Sequence, residues 1–490
     1  MRTWLIALLT LGLLWGCKVG PNYQRPPYPT PETFRGQGPD LPAQPAGVSF
    51  GDLRWFEVFK DPKLQELITI ALKENYDVQI AAQRVLAARE RVTIQRSFLF
   101  PSVNAGGQME AVRTSERGLT SGTPRYDRMV GLVTGDLSWE IDFFGRIRRA
   151  TEAARAEFFA SEENRRFVIQ TLISDVARAY IELRALDQQL DISERTVKTR
   201  EDSLTLVKAR FSYGWDSLTP VLMTENLLYG ARAVVPEAKR AIEQKENLIS
   251  VLIGRNPGPI LRGKSLLEQD LTVTVPPGLP SSLLERRPDI RAAEQQLVAG
   301  NARVGEAKAL LFPNVRLTGV AGWESAALKS LFTGPASFWD LLSPIVVQPL
   351  FQGGRLRAGV RLTEAQKEEL ILTYKKSIQQ AFQDVSDALI AVQRLREVRI
   401  EAEKQVKALK QQTDLAYQRY FGGVTPYLEV LDSDRQLFES QLRLTQAQAN
   451  ELLAVIALYR SLGGGWQTAG EPAGLQPNVR GEINRGAEKK

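Results

Sequence analysis

Residues 169–211 read IQTLISDVARAYIELRALDQQLDISERTVKTREDSLTLVKARF, and this stretch decides the fold. Apolar side chains recur in it at every seventh position and form one stripe: Ile169, Val176, Leu183, Leu190, Val197, Leu204 and Phe211. A companion stripe three residues further along consists of Leu172, Ala179, Leu186 and Val207. Two stripes with this spacing predict a long helix that packs as in a coiled coil.

The same pattern returns 209 positions later, from Ile169 to Ile378. The first stripe is repeated by Ile378, Val385, Val392, Val406 and Tyr420, and the companion by Ala381, Ala388, Leu395, Ala402, Leu409 and Ala416. The pattern predicts two long helices, 146–213 and 355–422, each about 100 Å long at 1.5 Å per residue. It favours one extended, duplicated unit, either a fibrous coiled coil or a helical tube built from duplicated hairpins.

The composition disfavours an enzyme. The chain has no histidine, which is the commonest general base and metal ligand, and its single cysteine, Cys17, excludes an intrachain disulfide. The net charge is +7, but lysine and arginine alternate with acidic residues along the helices, as on solvated helix faces. We therefore predict no catalytic site, no metal or cofactor site and no nucleic-acid partner, and a periplasmic hydrolase is disfavoured further because no nucleophile motif is present.

The N-terminus has the pattern of an export signal. Residues 1–16, MRTWLIALLTLGLLWG, combine a basic start with a short apolar run and predict a signal peptide. The run ends in Leu14–Cys17, which resembles a bacterial lipobox, although Trp15 stands where a small residue is usual. This resemblance implies that Cys17 becomes the lipidated mature N-terminus, with an N-acyl chain and an S-diacylglycerol. Lys18 stands where inner-membrane lipoproteins usually have aspartate, which favours the outer membrane.

The rest of the chain divides into segments. Residues 17–60 are rich in proline and predict extended chain, either a flexible tether or a strap over the body. The segments after it are a first repeat 61–254 (hairpin 102–141, helices 146–213 and 218–254), a linker 255–283, a second repeat 284–462 (hairpin 314–350, helices 355–422 and 427–462) and a polar tail 463–490.

Aligned sequences support the duplication. VQIAAQRVLAARERVTIQRSFLFPSVNAGG, from Val78, aligns with IRAAEQQLVAGNARVGEAKALLFPNVRLTG, from Ile290. In each repeat a Phe-Pro pair ends the helix and alternating segments follow, which predict strands at 102–112, 129–141, 315–323 and 345–350. Strands of this length with one apolar face suit an outer-membrane barrel, and a soluble, half-buried hairpin is the alternative.

Three segments resemble a known family. They are LLERRPDIRAAEQQLVAGNARVGEAKALLFPNVRLTG (283–319), YQRYFGGVTPYLEVLD (417–432) and LYRSLGGGW (458–466). They resemble the TolC-like outer-membrane efflux proteins, in particular the lipoprotein branch, and the resemblance extends over nearly the whole of 17–466. It implies a mainly α fold with a membrane β-barrel, in which a homotrimer shares twelve strands and twelve helices form a tube in the periplasm.

The resemblance also implies a function and partners. The chain would be a passive, gated exit duct for small molecules in the outer membrane of a Gram-negative bacterium, anchored in outer-membrane lipid through Cys17. A periplasmic membrane-fusion adaptor and an inner-membrane pump, of the RND type, would complete a tripartite system. Alternatives are a channel for type I protein secretion, which the lipobox disfavours, and a periplasmic coiled-coil scaffold without a pore.

The resemblance further implies a gate at the periplasmic end. Glu429 and Asp432 match inward-facing acidic residues, Leu428 matches an apolar constriction residue, and Tyr420 matches a tyrosine with closing contacts. Glu429 and Asp432 lie three positions apart and share a helical face, so in a trimer they would form two carboxylate rings that favour cations. The alternative is solvated charge, which the dipole at a helix N-terminus stabilises.

The sequence departs from the family pattern at two gate positions. Thr425 stands where an arginine is expected, and Pro220 stands where its acidic partner would be. Neither side chain carries a charge, so we expect other contacts to hold the closed state.

Overall fold

The structure, a computed structural model, describes residues 18–36, 49–113, 127–271, 280–325, 331–332 and 338–466. Its long helices are α1 (Pro62–Glu74), α2 (Tyr76–Ser97), α3 (Arg146–Ser212), α4 (Leu218–Leu252), α5 (Pro288–Ala309), α6 (Arg355–Phe421) and α7 (Tyr427–Ser461). Its strands are β1 (Ser102–Arg113), β2 (Asp127–Ile141), β3 (Asn314–Ser325) and β4 (Phe338–Val347). The fold is mainly helical and duplicated, as predicted, with one small sheet.

The two striped segments form the longest helices. α3 and α6 each contain 67 residues, and both begin and end within one residue of the predicted bounds. Ile169, Val176 and Leu183 of the first stripe are buried, as are Ile378 and Val385 of the second. The period of the apolar residues therefore identified the buried face of each helix.

The four strands form one antiparallel sheet in the order β1-β2-β3-β4. The last strand differs from the prediction, which placed it at 345–350, on the apolar run after Pro344. β4 instead starts at Phe338 and includes Pro344, because a proline removes only one ladder hydrogen bond from a strand. It ends at Val347, the partner of Asn314, where β3 begins.

Contacts group the chain into two units that do not follow the two repeats. The first unit contains the described residues within Met1–Tyr28, Gln83–Glu162 and Ala292–Lys375, including the sheet. The second contains those within Pro29–Ala82, Glu163–Arg291 and Lys376–Lys490. Each unit takes residues from both repeats because α3 and α6 are long enough to contribute to both.

The main apolar core lies in the second unit. It includes Ile173, Val176 and Tyr180 of α3, which pack with Ile249 of α4 and Tyr459 of α7. In the first unit, by contrast, a small cluster consists of alanines: Ala153, Ala156, Ala299 and Ala302. The short alanine side chains leave space for helix backbones to pack closely.

The N-terminal segment is extended only in part. Residues 49–58, which the sequence placed in extended chain, contain two short helical turns, Phe50–Asp52 and Trp55–Val58. Ser49 N donates to the Asp52 carboxylate, so a capping box stabilises the first turn, and the apolar side chains of both turns join the core. The prediction was wrong here because it relied on the proline content of the segment and overlooked the capping residues Ser49 and Asp52.

Candidate functional site

The helical hairpins α3–α4 and α6–α7 end in turns of the same geometry. Each long helix is followed by a glycine with a positive φ, Gly214 at 77° and Gly423 at 71°. The closing hydrogen bonds, both 2.9 Å long, run from Trp215 N to Arg210 O and from Val424 N to Arg419 O. Glycine ends helices in this way because it adopts a left-handed conformation without strain.

An apolar cluster joins the two hairpin ends within the second unit. Its buried members are Val207, Val221, Ala416, Tyr420, Tyr427, Val430 and Leu431. The rings of Tyr420 and Tyr427 lie 4.8 Å apart, centroid to centroid. This contact fixes the Tyr420 ring, one of the predicted gate residues, at the junction of α6 and α7.

A polar network ties Tyr420 to the first hairpin. Its hydroxyl donates to Asp216 Oδ2 at 2.8 Å, and Arg210 Nε donates to the same oxygen at 2.7 Å. The Arg210 guanidinium also lies over the Tyr420 ring, 5.0 Å from its centroid. We call Arg210, Asp216 and Tyr420 the tip triad.

The pKa values of Asp216 and Tyr420 favour the protonation states that these hydrogen bonds require. The hydrogen bond from Arg210 lowers the pKa of the Asp216 carboxyl below its usual value. Burial, together with the bond to Asp216, raises the pKa of Tyr420 to about 12. Near neutral pH the aspartate is therefore an ionised acceptor and the tyrosine a protonated donor.

The other three predicted gate residues lie apart from the triad, in the first turns of α7. Leu428 is exposed, and the Glu429 carboxylate faces solvent with Arg419 Nη1 at 3.4 Å. Asp432 accepts hydrogen bonds from Arg435 (2.9 Å) and Gln436 (2.6 Å) on its own helix. A single chain thus keeps these carboxylates at the surface, where neighbouring chains or passing ions can reach them.

The two positions that depart from the family pattern form no ionic link. Thr425 Oγ1 is buried and has no hydrogen-bond partner among the described residues. The carbonyl of Pro220 accepts a bond from Thr224 Oγ1 (2.8 Å) in the first turn of α4. The sequence analysis did not identify Arg210 and Asp216 as site residues. A signal was present, because they are oppositely charged and lie six residues apart, on either side of the helix-ending Gly214.

A second polar link involves Arg200 of α3, which precedes the tip triad in the chain. Arg200 occupies a companion-stripe position where an apolar residue was expected, and it is buried. Its guanidinium donates to Asp434 Oδ2 (2.8 Å) and to Leu227 O (2.7 Å), and it lies over the Phe438 ring. This arginine joins α3 to α4 and α7, because its charge is paired and its stem packs against an aromatic ring.

The segment that follows Cys17 is held firmly on the first unit, although Cys17 itself lies outside the described residues. Val19 N donates to Phe144 O at 3.2 Å. Arg149, whose side chain is fully buried, donates to Val19 O (3.0 Å) and Gly20 O (2.8 Å). Lys18 pairs with Glu152 at 2.5 Å. The start of the segment is therefore a strap and not a flexible tether.

Further along, the strap is held by a carboxylate of α5. Arg25 makes a two-pronged bond to Glu294, with Nε at 2.7 Å and Nη2 at 2.6 Å from its oxygens. Tyr23 donates its hydroxyl to the same carboxylate at 3.1 Å. Paired bonds of this kind are among the stronger polar contacts in proteins, and they fix the strap at a second point.

The described part of the chain holds no group of three or more metal-ligating side chains. Among the same residues, no helix is both long and apolar enough to cross a membrane.

A model of the family described as "Outer membrane efflux protein" matches the chain twice, at residues 67–255 and 279–464. These two matches cover most of the chain and one falls in each repeat. The chain belongs to the outer membrane efflux protein family. It is an outer-membrane efflux channel and not an enzyme.

Curated relatives match this efflux channel over nearly its whole length. The probable efflux pump outer membrane protein TtgC of Pseudomonas putida is 35% identical over 480 residues, which are 96% of this chain and 97% of the relative. The solvent efflux pump outer membrane protein SrpC of Pseudomonas putida is 36% identical over 95% of this chain and 98% of the relative. The probable outer membrane lipoprotein SilC of Salmonella typhimurium is 32% identical, with 94% and 98% covered.

Solved structures match the efflux channel in fold. The outer-membrane channel OprN gives a TM-score of 0.85 at 28% identity, over 92% of this chain and 100% of that one. The open state of the Neisseria gonorrhoeae MtrE outer membrane channel gives 0.81 at 32% identity, over 92% and 99%. The predicted fold class and the predicted efflux function are therefore confirmed.

Proposed function

We propose that the chain is the gated exit duct of a tripartite efflux system, in which three copies share one barrel of twelve strands and one tube of twelve helices. The observation that supports this most directly is the arrangement of the long helices. Each has 67 residues and connects a sheet strand at one end with a hairpin turn at the other. At 1.5 Å per residue each is about 100 Å long, enough to extend from the outer membrane deep into the periplasm.

The gate proposal assigns two tasks to the hairpin ends. The tip triad holds the first hairpin end against α6 and keeps the tube narrow. Glu429 and Asp432 form carboxylate rings at that narrow end, which attract cations and resist anions, and Leu428 forms an apolar constriction beside them. The exposure of all three side chains on a single chain supports this, since pore-facing residues of an oligomer are not buried within one copy.

The partner proposal follows from exposed apolar side chains at the same ends. Tyr213, Trp215 and Phe421 are exposed, as is Val424. Contiguous exposed apolar residues mark surfaces for protein partners. The occupant that fits an efflux channel is a periplasmic membrane-fusion adaptor, joined to an inner-membrane pump of the RND type that supplies the energy. The cargo is small molecules, the class to which toluene and other solvents in the relatives' names belong.

The anchor proposal concerns Cys17, which would carry an N-acyl chain and an S-diacylglycerol in the outer membrane. Its support is the strap: Lys18, which directly follows Cys17, pairs with Glu152, and Val19 N donates to Phe144 O, close to the end of β2. A lipid on Cys17 would thus start near the strand ends. Cys17→Ser should abolish labelling with radioactive palmitate, with Arg35→Ser in the same proline-rich segment as the matched control. Labelling that persists in Cys17→Ser would refute the anchor.

The experiment that tests the duct is planar-bilayer conductance of the purified, detergent-extracted protein, with its native mass determined alongside. We expect a trimer that forms discrete, mostly closed, cation-preferring channels. A folded trimer that never conducts, even with Glu429 and Asp432 both changed to alanine, would contradict the gate. A monomer or dimer without conductance would contradict the proposed trimeric duct.

A further inference from the structure

The four junctions between helices and strands lie along one end of the sheet. β1 and β3 begin there and β2 and β4 end there, since the antiparallel ladders pair Ser102 with Ser138 and Asn314 with Val347. Five exposed arginines lie in the helical turns next to two of these junctions, at the end of α2 and at the start of α6: Arg91, Arg96, Arg355, Arg357 and Arg361. We call these five arginines the basic rim.

The basic rim has no carboxylate partner. Within the part of the chain that the structure describes, none of the five arginines forms an ion pair, and Arg355 donates to a neutral amide. Arg357 and Arg361 lie four residues apart, where like charges destabilise a helix. Glu90 is next to Arg91 in the chain, but adjacent residues do not face each other on a helix. A bound anion would therefore relieve repulsion that the chain itself leaves in place.

The other two junctions, at the start of α3 and the end of α5, neutralise their basic side chains. The ion pairs there are Arg146–Glu140 (2.8 Å), Arg148–Asp142 (3.2 Å), Lys18–Glu152 (2.5 Å) and Arg303–Glu157. The same end of the sheet thus holds neutralised and unneutralised junctions. The basic rim is therefore not a general consequence of how helices and strands join in this fold.

The two repeats share the basic residues of these junctions but not the carboxylates. α6 begins 209 positions after α3, and β3 begins 212 positions after β1. With these offsets the basic residues correspond: Arg355 to Arg146, Arg357 to Arg148 and Arg91 to Arg303. The positions of the carboxylates hold other residues: Pro349 for Glu140, Phe351 for Asp142, Arg361 for Glu152 and Gln366 for Glu157. A second copy of the chain packed in the same way would supply none of these four carboxylates.

The basic rim borders exposed apolar side chains. Leu350 is 92% exposed and Phe351 is 90% exposed, between the end of β4 and the start of α6. Phe98 and Phe100 are exposed between α2 and β1. Aromatic residues and arginines mark the depth at which a protein passes from the hydrocarbon of a bilayer to its headgroups. That headgroup layer is about 5–8 Å deep on each side, and the five arginines lie within about 9 Å, along the helix axes, of the helix ends next to the sheet.

We propose that the basic rim binds the phosphate groups of anionic phospholipids at the periplasmic face of the outer membrane. Arginine suits this ligand because its guanidinium binds two phosphate oxygens at once. Arg361 has the position on α6 that Glu152 has on α3, and Glu152 binds the strap that starts at the proposed lipid anchor. The rim therefore includes the helix face that is turned towards lipid. The inference rests on the proposed function, in which the helices extend from the membrane into the periplasm, and adds the class of lipid that the channel binds there.

Lipid binding by the detergent-extracted full chain tests this inference. Native mass spectrometry would count bound dioleoyl-phosphatidylglycerol, which is anionic, and dioleoyl-phosphatidylcholine, which has the same acyl chains and no net charge. We expect the anionic lipid to bind at least tenfold more tightly, and salt to weaken this preference by screening the charges. Equal binding of the two lipids would overturn the inference. Inorganic phosphate that competes more strongly than sodium chloride of the same ionic strength would overturn a lipid as the source of the phosphate.

Variants of the rim test which side chains bind the lipid. Arg355→Gln, Arg357→Gln and Arg361→Gln combined should lower the preference for the anionic lipid at least fivefold, because three positive charges near the headgroups are lost. The same three positions changed to lysine keep the charge and should lower it less than threefold. Arg91→Gln with Arg96→Gln should also lower it, by about twofold or more since two charges are lost, and covers the case in which the first variant folds poorly.

The matched control is Lys404→Gln, Lys407→Gln and Lys410→Gln, which removes the same charge from exposed positions of α6 that begin 43 positions after Arg361. It should leave the lipid preference unchanged. An equal loss in this control would trace the preference to net charge and overturn the rim, as would glutamine variants of normal native mass that keep the full preference. A conducting trimer without any lipid preference would refute the inference and leave the proposed duct intact.

Discussion

The two hairpin ends share one backbone geometry and differ in how their carboxylates are held. At the α3–α4 end, Asp216 accepts hydrogen bonds of 2.7 and 2.8 Å from Arg210 and Tyr420. At the α6–α7 end, the ionic partner of Glu429 in the part of the chain that the structure describes is Arg419 at 3.4 Å, and both side chains are exposed. The two repeats thus share the turn geometry but differ in the contacts of their carboxylates. The first end holds its carboxylate in hydrogen bonds to two other side chains, whereas the second leaves its carboxylates exposed.

The largest effect should follow from Asp216→Ala, which removes the acceptor that Arg210 and Tyr420 share. Two hydrogen bonds are lost, and both are charge-assisted because Asp216 is ionised, so the loss is at least the about 1.5–3 kcal/mol of one such bond. We expect the open fraction of single channels in planar bilayers to rise by roughly tenfold or more, since about 1.4 kcal/mol is a factor of ten.

The control for this change is Asp202→Ala, which removes an exposed carboxylate from the same helix. It should leave the open fraction unchanged. Tyr420→Phe, which keeps the ring packed on Tyr427 and loses only the hydroxyl, should fall between the two. If Asp216→Ala behaves like Asp202→Ala, the tip triad does not hold the closed state.

An effect of a different kind should follow from Glu429→Ala combined with Asp432→Ala. Among the described residues these carboxylates bond to exposed arginines and to Gln436, so their loss should change the fold little. In a trimer it removes six negative charges from a narrow pore. We expect conductance to rise a few-fold and the reversal potential in a salt gradient to move toward zero, as cation preference declines.

The matched control for the selectivity test is Glu439→Ala on the same helix, one exposed carboxylate that pairs with Arg435. We expect it to leave the reversal potential near that of the natural protein. Unchanged selectivity in the Glu429 and Asp432 variant would assign these residues to solvated charge at a helix N-terminus, and the contrast between the hairpin ends would lose its functional meaning.

A smaller effect is expected from Arg419→Gln, which removes the only ionic partner of Glu429 seen in the described residues. Both side chains are more than a third exposed, at 46% and 40%, and exposed pairs contribute about 0.2–1 kcal/mol. The open fraction should change less than fivefold, and less again in high salt. Arg443→Gln, an exposed arginine on α7, is the control. An effect as large as that of Asp216→Ala would show that the trimer buries the second hairpin end as well.

The sequence predicted the elements well because their signals are local. Heptad stripes located α3 and α6, and Phe-Pro pairs located the ends of α2 and α5. The predictions of secondary structure were wrong at two places. The last strand was predicted at 345–350, although β4 runs from Phe338 to Val347. The turn Phe50–Asp52 was taken as extended chain, although Ser49 and Asp52 cap it.

The contacts of the candidate site could not be predicted, because they join residues far apart in the chain. Asp216 and Tyr420 lie 204 positions apart, and no periodicity relates a side chain on one hairpin to an acceptor on the other. The partner of Arg200 could not be predicted for the same reason. Its place in an apolar stripe was visible in the sequence, but its partner Asp434 lies 234 positions away. The family resemblance supplied Tyr420 but pointed to Thr425 and Pro220, which make no ionic link here.

The smallest effect is expected from pH between about 5 and 9, where the open fraction should not change. The pKa of Asp216 lies below its usual value of about 3.9, because Arg210 donates to it, so its contribution to closure is lost only as pH falls through that lowered value. Tyr420 keeps its proton to about pH 12, and its contribution is lost only above its usual value of about 10. The chain has no histidine that would titrate in between. A change of open fraction between pH 5 and 9 that vanishes in Asp216→Ala would contradict these assignments, because a triad with these pKa values has no proton to exchange in that range.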